Sequence, residues 1–292
     1  MRLGFAGLGL MGGPMAGNLL STWPALAVYN RSAPARERMR KAGAQVHSEP
    51  ATFFGACDAI ILMLANDAAA DEVLGRGTSD FGQRVDGKLI VNMGTHSLAW
   101  SEALERDVRR VGGLFVEAPV SGSRGPAEAG ALVAMVAGEP LAVKAALPLI
   151  APMCRQVIPT GAVPTAMACK LAVNLYLIAS VAALAEAAAL SRKLGLAAHV
   201  FERVIDQGPL GSEVSRAKLG KMMSGDFAPE AAIRDVCKNA ALVAAAAASA
   251  AIEAPMLDEA RKRFDSTLGA GNAKLDMAAV CTAYGMEGLG LE

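Results

Sequence analysis

Short apolar runs alternate with helical patterns through the first 160 residues, and this alternation constrains the fold more than any other feature. Amphipathic segments such as 34–43 and 97–111 lie between several of the apolar runs. The predicted strands are Leu3–Ala6, Leu26–Asn30, Ala59–Leu64, Leu89–Met93, Leu114–Glu117, Leu132–Val136 and Gln156–Pro159. Strand–helix alternation of this kind predicts an α/β fold with a doubly wound, mostly parallel sheet.

The character of the chain changes after residue 165, where strand-like runs nearly vanish and alanine becomes dominant. The segments with helical patterns are 171–194, 197–206, 212–223, 229–251 and 253–268. The Pro- and Gly-punctuated stretch 159–164 separates the two halves. We therefore predict an α/β domain over 1–162 and an all-helical domain over 163–292.

Composition excludes several classes of protein. With 53% apolar and 19% charged residues the chain is not disordered, and 28 basic residues balance 28 acidic ones. Balanced charge gives no reason to expect nucleic acid or an anionic membrane surface as a partner. The segment 171–190 has nearly the length of a bilayer span, but Asn174 and Glu186 interrupt it. We predict a buried central helix there rather than a membrane span.

Cysteine and histidine usage indicates neither a disulfide framework nor a metal site. The five cysteines are odd in number and form no CxxC pair, and there are three histidines. This pattern is typical of reduced thiols, so we expect a cytoplasmic protein with no bound metal.

A glycine-rich hexapeptide follows the first predicted strand and opens a helix. In this context GxGxxG is typical of a dinucleotide-binding turn: the first glycine makes the turn, the second admits a pyrophosphate and the third allows close packing. The helix N-terminus then offers N–H groups to the phosphates. The predicted cofactor-binding residues of this loop are Gly7, Leu8, Gly9, Leu10, Met11 and Gly12. The alternative is a structural glycine turn.

The end of the second predicted strand indicates which dinucleotide binds. NAD-binding folds place an acidic residue there, whereas this chain has Asn30-Arg31-Ser32. Arginine can bind a 2′-phosphate through two parallel hydrogen bonds, and a carboxylate would repel it. We therefore predict NADP(H) in preference to NAD(H). The alternative is that the basic side chains here form only a solvated helix face, namely Arg31, Arg36, Arg38, Arg40 and Lys41.

Four blocks of sequence resemble the β-hydroxyacid dehydrogenases, which include 3-hydroxyisobutyrate dehydrogenase and tartronate semialdehyde reductase. The blocks are GLGLMGGPMAGNL at 7–19, EAPVSGSRGPAEAGAL at 117–132, KLAVN at 170–174 and CKNAALVAAAAASA at 237–250. The SGS form of the second block and the later LGAGNAKLDMAAV are most similar to the glyoxylate/succinic semialdehyde reductase branch.

The resemblance implies a Rossmann domain joined to an all-helical domain through a long interdomain helix, with the active site in the cleft between them. It implies reversible hydride transfer between nicotinamide C4 and a small hydroxyacid or its semialdehyde. The excess of apolar residues in the helical domain, together with the family resemblance, favours a homodimer or homotetramer.

The resemblance also assigns roles to individual residues. It makes Lys170 the catalytic lysine and Asn174 its neighbour, and spacing by four places both on one helix face. A lysine ammonium can stabilise and then protonate the alkoxide left by hydride addition, although a lysine beside an apolar run can also merely snorkel. The implied substrate-binding residues are Ser121, Gly122 and Ser123, with Arg124 as an additional candidate; a plain Ser/Gly turn is the alternative. The implied cofactor contacts are Met63, Leu64, Thr95 and Lys238.

Departures from the family pattern bear on the substrate. Asn239 replaces an aspartate, Ala231 an aromatic residue and Gly94 a serine, while Pro164 and Ala166 replace expected glycines. These changes predict an emptier, less polar pocket. The alternatives to a semialdehyde or glyoxylate reductase are an imine or ketone reductase on the same scaffold and a non-catalytic NADPH-binding protein. His96 lacks an acidic partner at helical or strand spacing, so we interpret it as a loop histidine.

Overall fold

The computed structural model describes residues 1–286 and divides into two compact units, Met1–Lys170 and a second unit that starts at Leu171. The strands of the first unit are β1 (Leu3–Ala6), β2 (Ala27–Tyr29), β3 (Gln45–His47), β4 (Ala59–Leu62), β5 (Leu89–Asn92), β6 (Leu114–Glu117), β7 (Val120–Ser121), β8 (Leu132–Gly138) and β9 (Cys154–Gly161). Its helices are α1 (Gly12–Thr22), α2 (Ala33–Lys41), α3 (Pro50–Gly55), α4 (Asp67–Leu74), α5 (Asp80–Val85), α6 (Leu98–Arg110), α7 (Arg124–Glu128) and α8 (Pro140–Ile150).

The strands form one sheet in the order β3-β2-β1-β4-β5-β6-β8-β7, with β9 paired to β8. Pairing is parallel from β3 to β6, while β8 runs antiparallel to both β6 and β7. The strand order reverses at β1, which pairs with β2 on one side and with β4 on the other. Open α/β sheets bind ligands at the carboxyl ends of the strands beside such a reversal.

Both faces of the sheet are buried, as a parallel sheet with helices on each side requires. Ile61 and Val91 contribute to one hydrophobic cluster, and the adjacent Ile60 and Ile90 contribute to the cluster on the opposite face. Successive side chains along a strand point to opposite faces, so these runs are apolar at every position. The strand ends are consequently held rigidly on both sides.

Helices make up most of the second unit. Helix α9 (Thr165–Lys193) begins in the first unit and continues into the second, where α10 (Ala198–Gln207), α11 (Glu213–Ser224), α12 (Ile233–Ser249) and α13 (Pro255–Gly269) follow. A 3₁₀ segment, Met277–Tyr284, comes after α13. The predicted α/β fold with a following helical part is confirmed. The compact units divide after Lys170, and the domain boundary after residue 162 stays a prediction.

Helix α9 is long and apolar enough to cross a membrane by length and composition, which core helices also satisfy. One face is buried, including Ile178, Val181 and Ala185. The opposite face is exposed, with apolar side chains at Ala172, Tyr176, Ala183, Ala187 and Leu190 and the charged Glu186 beside them. We name the five apolar residues the α9 stripe. The sequence predicts a buried helix. In the single chain, α9 is buried on one face only.

Candidate active site

The glycine loop connects β1 to α1, and two of its glycines are required by close packing. Gly7 has a φ of +101°, and a Cβ there would lie 2.2 Å from the carbonyl oxygen of Met63. A Cβ on Gly12 would lie 1.8 Å from the carbonyl oxygen of Gly7. A Cβ on Gly9 would meet no atom within 4 Å. Gly9 thus faces open space at the start of α1, which fits the approach of a pyrophosphate to the backbone.

The end of β2 holds the glycine loop in place. The N–H of Gly7 donates to the carbonyl of Tyr29 at 3.0 Å, and the N–H of Leu8 donates to Asn30 Oδ1 at 2.9 Å. The Asn30 side chain therefore holds the backbone of the glycine loop in place. Arg31 and Ser32 follow it and are exposed.

Arg36 donates hydrogen bonds to the backbone of the Asn30–Ser32 segment, a role that the sequence analysis did not assign to it. Its Nη1 donates to the carbonyl of Asn30 at 2.7 Å and to that of Arg31 at 2.8 Å. The interpretation of Arg36 as part of a solvated helix face is therefore wrong, because it bonds to backbone and is half-buried. Arg38 and Lys41 are exposed, as that interpretation expects.

The other predicted cofactor contacts of this unit follow the neighbouring strands. Met63 and Leu64 come directly after β4, and the N–H of Met63 donates to the carbonyl of Ala6 at 2.8 Å. Thr95 comes after β5, beside Gly94, whose Cβ would lie 2.9 Å from the carbonyl oxygen of Leu64. These segments lie together at the carboxyl ends of β1, β4 and β5, where the strand order reverses.

His96 lies in the loop after β5, as predicted, but it is fully buried and has an acidic partner. Its Nδ1 is 2.8 Å from Asp67 Oδ1, and its ring stacks on Trp100 with centroids 4.1 Å apart. Burial works to raise the pKa of Asp67, but hydrogen bonds from His96 and Ser97 outweigh it and lower that pKa. Asp67 begins α4, 29 residues before His96, so no local spacing could have revealed the pair.

The Ser-Gly-Ser segment ends β7 and precedes the short helix α7. Ser121 is the last residue of β7, Gly122 has a φ of +130°, and Ser123 precedes α7. Only glycine readily adopts this backbone conformation, so Gly122 sets the direction of the two serines. Arg124 Nε lies 2.7 Å from Glu128 Oε1 in an exposed ion pair.

Lys170 and Asn174 lie one turn apart on α9, and both are buried, with 9% and 2% of their surface exposed. Asn174 Nδ2 has no hydrogen-bond partner within residues 1–286. A buried amide without a partner is unfavourable unless a ligand supplies one. This orphaned donor fits a group that binds a polar substrate atom.

Glu117 ends β6 and was predicted only as a strand residue. It is fully buried, and burial raises its pKa to about 7 against the opposing effect of hydrogen bonds from Ser101 and the backbone of Met167. A glutamate at the end of an apolar strand is the available sequence signal, but its partners are 16 and 50 residues away.

The remaining predicted residues lie in the second unit or at the start of α9, just before that unit. Lys238 and Asn239 lie on α12, and Asn239 Oδ1 is buried with no hydrogen-bond partner in the described part of the chain. The backbone N–H of Ala231 donates to Asp276 Oδ2 at 3.1 Å. Pro164 immediately precedes α9, and Ala166 in its first turn is fully buried.

The described residues contain no group of three or more His, Cys, Asp and Glu side chains that could hold a metal, and the five cysteines are free. The buried titratable groups at the strand ends are instead Glu117, which ends β6, and His96, which follows β5 and pairs with Asp67.

Comparison with known proteins identifies the family. The family model described as the NAD binding domain of 6-phosphogluconate dehydrogenase matches residues 2–161. That described as the NAD-binding domain of NADP-dependent 3-hydroxyisobutyrate dehydrogenase matches residues 165–284. The chain belongs to the 3-hydroxyisobutyrate dehydrogenase family.

Relatives of this family member span nearly its whole length. Glyoxylate/succinic semialdehyde reductase 2 from Arabidopsis thaliana is 30% identical over 97% of this chain and 79% of the relative. A 3-hydroxyisobutyrate dehydrogenase from Mycobacterium tuberculosis is 25% identical, with a TM-score of 0.84 over 97% and 99% of the two chains. An imine reductase from Pseudomonas sp. shares the fold at 22% identity, with a TM-score of 0.66 over 97% and 98%.

As a member of this family, the chain is an NAD(P)-dependent oxidoreductase of the hydroxyacid dehydrogenase type. The open space at Gly9 and the uncapped start of α1 agree with binding of a dinucleotide in the first unit.

Proposed function

We propose that the enzyme is an NADPH-dependent reductase of small carboxylated aldehydes, glyoxylate or a short semialdehyde, with Lys170 as general acid and base. The observation that carries this proposal is the buried Lys170–Asn174 pair on α9, with Asn174 Nδ2 lacking a partner in residues 1–286. Bound NADPH would supply a hydride from nicotinamide C4 to the carbonyl carbon of the substrate.

Lys170 is the group that handles the proton in this proposal. Hydride addition leaves negative charge on the carbonyl oxygen, which an ammonium group stabilises before it transfers its proton. Asn174, one turn along the same helix, donates a hydrogen bond that orients the substrate. In the oxidative direction the same lysine accepts the proton of the hydroxyacid.

Ser121, Gly122 and Ser123 are proposed to bind the substrate carboxylate. Hydroxyl and backbone N–H donors suit a carboxylate, and the positive φ of Gly122 turns the backbone between the two serines. Arg124 contributes less in this proposal, because it already pairs with Glu128.

NADP(H) is the proposed cofactor in preference to NAD(H). Arg31 and Ser32 are exposed beside a loop braced by Asn30 and Arg36, and no carboxylate follows β2 to repel a 2′-phosphate. Leu8, Leu10 and Met11 contribute backbone of the glycine loop, and Lys238 on α12 is proposed as a further cofactor contact.

The first test is NADPH oxidation at 340 nm, with NADH in parallel, against glyoxylate, succinic semialdehyde, methylmalonate semialdehyde and tartronate semialdehyde. We expect turnover with NADPH favoured. Lys170→Ala is expected to lower kcat by about 10²–10⁴-fold while NADPH binding, followed by fluorescence titration, stays within about threefold.

Three results would contradict the proposal. Unchanged turnover in Lys170→Ala would remove the lysine from the chemistry. No turnover of any aldehyde, together with turnover of a cyclic imine or ketone, would favour the imine or ketone reductase alternative. Tight NADPH binding with no turnover of any substrate would favour a non-catalytic protein.

Self-association is proposed from the α9 stripe. Tyr176 is 76% exposed and Leu190 is 60% exposed, although they lie on a helix whose other face is in the core. Helix α10, next along the chain, buries no residue and exposes Val200 and Val204. Contiguous exposed apolar surface of this kind marks protein–protein contact, and a symmetric copy is its commonest occupant.

A further inference from the structure

Glu117 is a fully buried carboxylate that the proposed chemistry leaves without a role. Its Oε1 accepts a short hydrogen bond from Ser101 Oγ on α6, and its Oε2 accepts from the backbone N–H of Met167 at 3.3 Å. The N–H of Ala166 also donates to this carboxylate. The side chain therefore connects the end of β6 to α6 and to the start of α9.

The two backbone donors belong to the first turn of α9. That helix begins at Thr165, and its first N–H groups have no carbonyl partner inside the helix. A carboxylate at this end also lies favourably in the field of the helix dipole. Lys170 follows Met167 by three residues, so it lies on the next turn of α9, about one helical turn after the residue that Glu117 contacts.

Other contacts fix the same turn from a second direction. The side chains of Ala166 and Met167 are fully buried, and the N–H of His96 donates to Met167 Sδ at 3.4 Å. These contacts are apolar or weak, whereas hydrogen bonds to an ionised carboxylate are roughly twice as strong as neutral ones. Thr165 adds two neutral hydrogen bonds, from its N–H to the carbonyl of Ala162 at 2.9 Å and from its Oγ1 to Thr160 Oγ1 at 3.0 Å. Glu117 is thus the carboxylate anchor among the described contacts of this turn.

We propose that Glu117 is a positioning residue, which holds the first turn of α9 so that Lys170 lies in register for proton transfer. This inference rests on the proposed role of Lys170. Glu117 itself touches neither of the reactants in this proposal and acts through the helix backbone.

Ionisation of Glu117 makes the proposal testable. Burial raises its pKa to about 7, the bonds from Ser101, Met167 and Ala166 lower it, and Glu105 on α6 raises it further. The other titratable groups near these elements are Lys170 on α9 and His96, which is paired with Asp67. Because the bonds from α9 lower this pKa, they are stronger when the carboxylate is ionised. The held geometry should therefore be favoured above pH 7.

The experiment compares Glu117→Ala, Glu117→Gln and Ser101→Ala with a control, Glu102→Gln, on the same helix as Ser101. Hydrogen exchange of the amides in residues 166–170 is measured by mass spectrometry at pH 8, and kcat is measured from pH 5.5 to 9. The glutamine keeps an acceptor for the N–H groups but cannot ionise.

For Glu117→Ala we expect the amides to exchange on the order of tenfold faster, from loss of one hydrogen bond to a charged group, and kcat to fall by a similar factor. Glu117→Gln should restore only part of the protection, because a neutral acceptor binds the N–H groups more weakly, and its kcat should stay at the lowered level at every pH, without the fall below pH 7. Ser101→Ala should move that fall to higher pH, since a bond that lowers the pKa of Glu117 is gone. Glu102→Gln should match the wild type.

Unchanged exchange in Glu117→Ala would overturn the proposal, whatever happens to activity. A fall of kcat below pH 7 that persists unaltered in Glu117→Gln would also overturn it. If Lys170→Ala retains turnover, the proposed function fails separately, and the exchange of residues 166–170 still decides whether Glu117 holds this turn.

Discussion

At the scale of single residues, Arg31 and Arg36 have different environments although both follow β2. Arg36 bonds to two backbone carbonyls, whereas Arg31 is exposed at the edge of the proposed cofactor site. A guanidinium with its donors already used orients a loop, and one that is exposed can bind a phosphate directly.

Arg31→Ala is expected to lower the preference for NADPH over NADH by about 10–100-fold, because a hydrogen bond to a charged group contributes about 1.5–3 kcal/mol. Arg36→Ala should weaken binding of both cofactors by a smaller factor, since it loosens the segment without removing a phosphate ligand. The measurement is kcat/KM for each cofactor.

Arg38→Ala is the matched control, because Arg38 is exposed on the same helix. An unchanged NADPH to NADH ratio in Arg31→Ala would restore the interpretation of Arg31 as a solvated surface residue.

The buried charge of Glu117 predicts a pH-dependent stability. Its pKa of about 7 in the folded chain exceeds the ordinary 4.5, so between these values the unfolded chain binds fewer protons than the folded one. The free energy of unfolding of the wild type, relative to Glu117→Gln, should therefore fall as pH rises from about 4.5 to 7. The total change is roughly 3 kcal/mol, at about 1.4 kcal/mol for each tenfold change in the dissociation constant.

Urea unfolding at pH 4.5 and pH 8 measures this change. Trp23 and Trp100, the two tryptophans of the chain, both lie in the first unit, so their fluorescence follows that unit. If the free energies of unfolding of the wild type and Glu117→Gln differ by the same amount at both pH values, a raised pKa for Glu117 is contradicted.

Two of the residues that the sequence analysis missed share one property. His96 and Glu117 bond to groups that become neighbours only when strands and helices assemble: Asp67 is 29 residues from His96, and Met167 is 50 residues from Glu117. Arg36 differs from them, because its partners are backbone carbonyls only five and six residues earlier in the chain. Motif spacing is local, so it predicted the glycine loop, and the family resemblance supplied the prediction of the Lys170–Asn174 pair. Motif spacing could not find a carboxylate whose donors lie on other elements.

At the scale of secondary-structure elements, the glycines of the β1–α1 turn differ in what requires them: close packing requires one, and space for a ligand requires another. Gly12 meets the backbone of Gly7, whereas Gly9 faces open space. The three glycines of the motif are therefore expected to respond differently to the same substitution.

Gly9→Ala should leave the melting temperature within a few degrees and weaken NADPH binding by at least about tenfold, because a methyl group would enter the space of the pyrophosphate. Gly12→Ala should destabilise the first unit, since its Cβ would lie 1.8 Å from a carbonyl oxygen. Thermal melts and NADPH titrations measure the two effects, and Gly17→Ala, with open space around its Cβ on α1, is the control. Equal stability losses in Gly9→Ala and Gly12→Ala would contradict this difference between the two glycines.

Element prediction succeeded where periodicity was strong and failed at edges. The parallel strands β1, β4, β5 and β6 were predicted to within two residues because almost all of their positions are apolar, the exceptions being Asn92 and Glu117 at the ends of β5 and β6. Strand β3, Gln45–His47, was missed because it is short, lies at the sheet edge and carries polar side chains. Helix α9 begins six residues earlier than predicted, since the proline that suggested a break directly precedes its first turn.

At the scale of the whole molecule, the α9 stripe predicts assembly. We expect light scattering to give a multiple of the 29.9 kDa chain mass, twofold or fourfold. Tyr176→Glu combined with Leu190→Glu should shift the population toward the single chain, because two charges would enter an apolar contact.

Glu102→Gln, which removes a charge from α6 in the first unit, should leave the mass unchanged. A wild type that sediments as a single chain at all concentrations would contradict the proposed self-association.

Helix α9 also constrains how this protein can exchange parts with its relatives. The helix crosses the division between the compact units, so Lys170 and Asn174 are encoded on opposite sides of that division. A recombination event that joins two parents at residue 171 would take the lysine from one and the asparagine from the other, in a helix assembled from both. A crossover at Pro164 would instead inherit the pair together, but would separate Glu117 from the turn it contacts. Composition alone suggests a domain boundary here. We nevertheless expect chimeras joined at Pro164 or at residue 171 to function less well than that boundary implies.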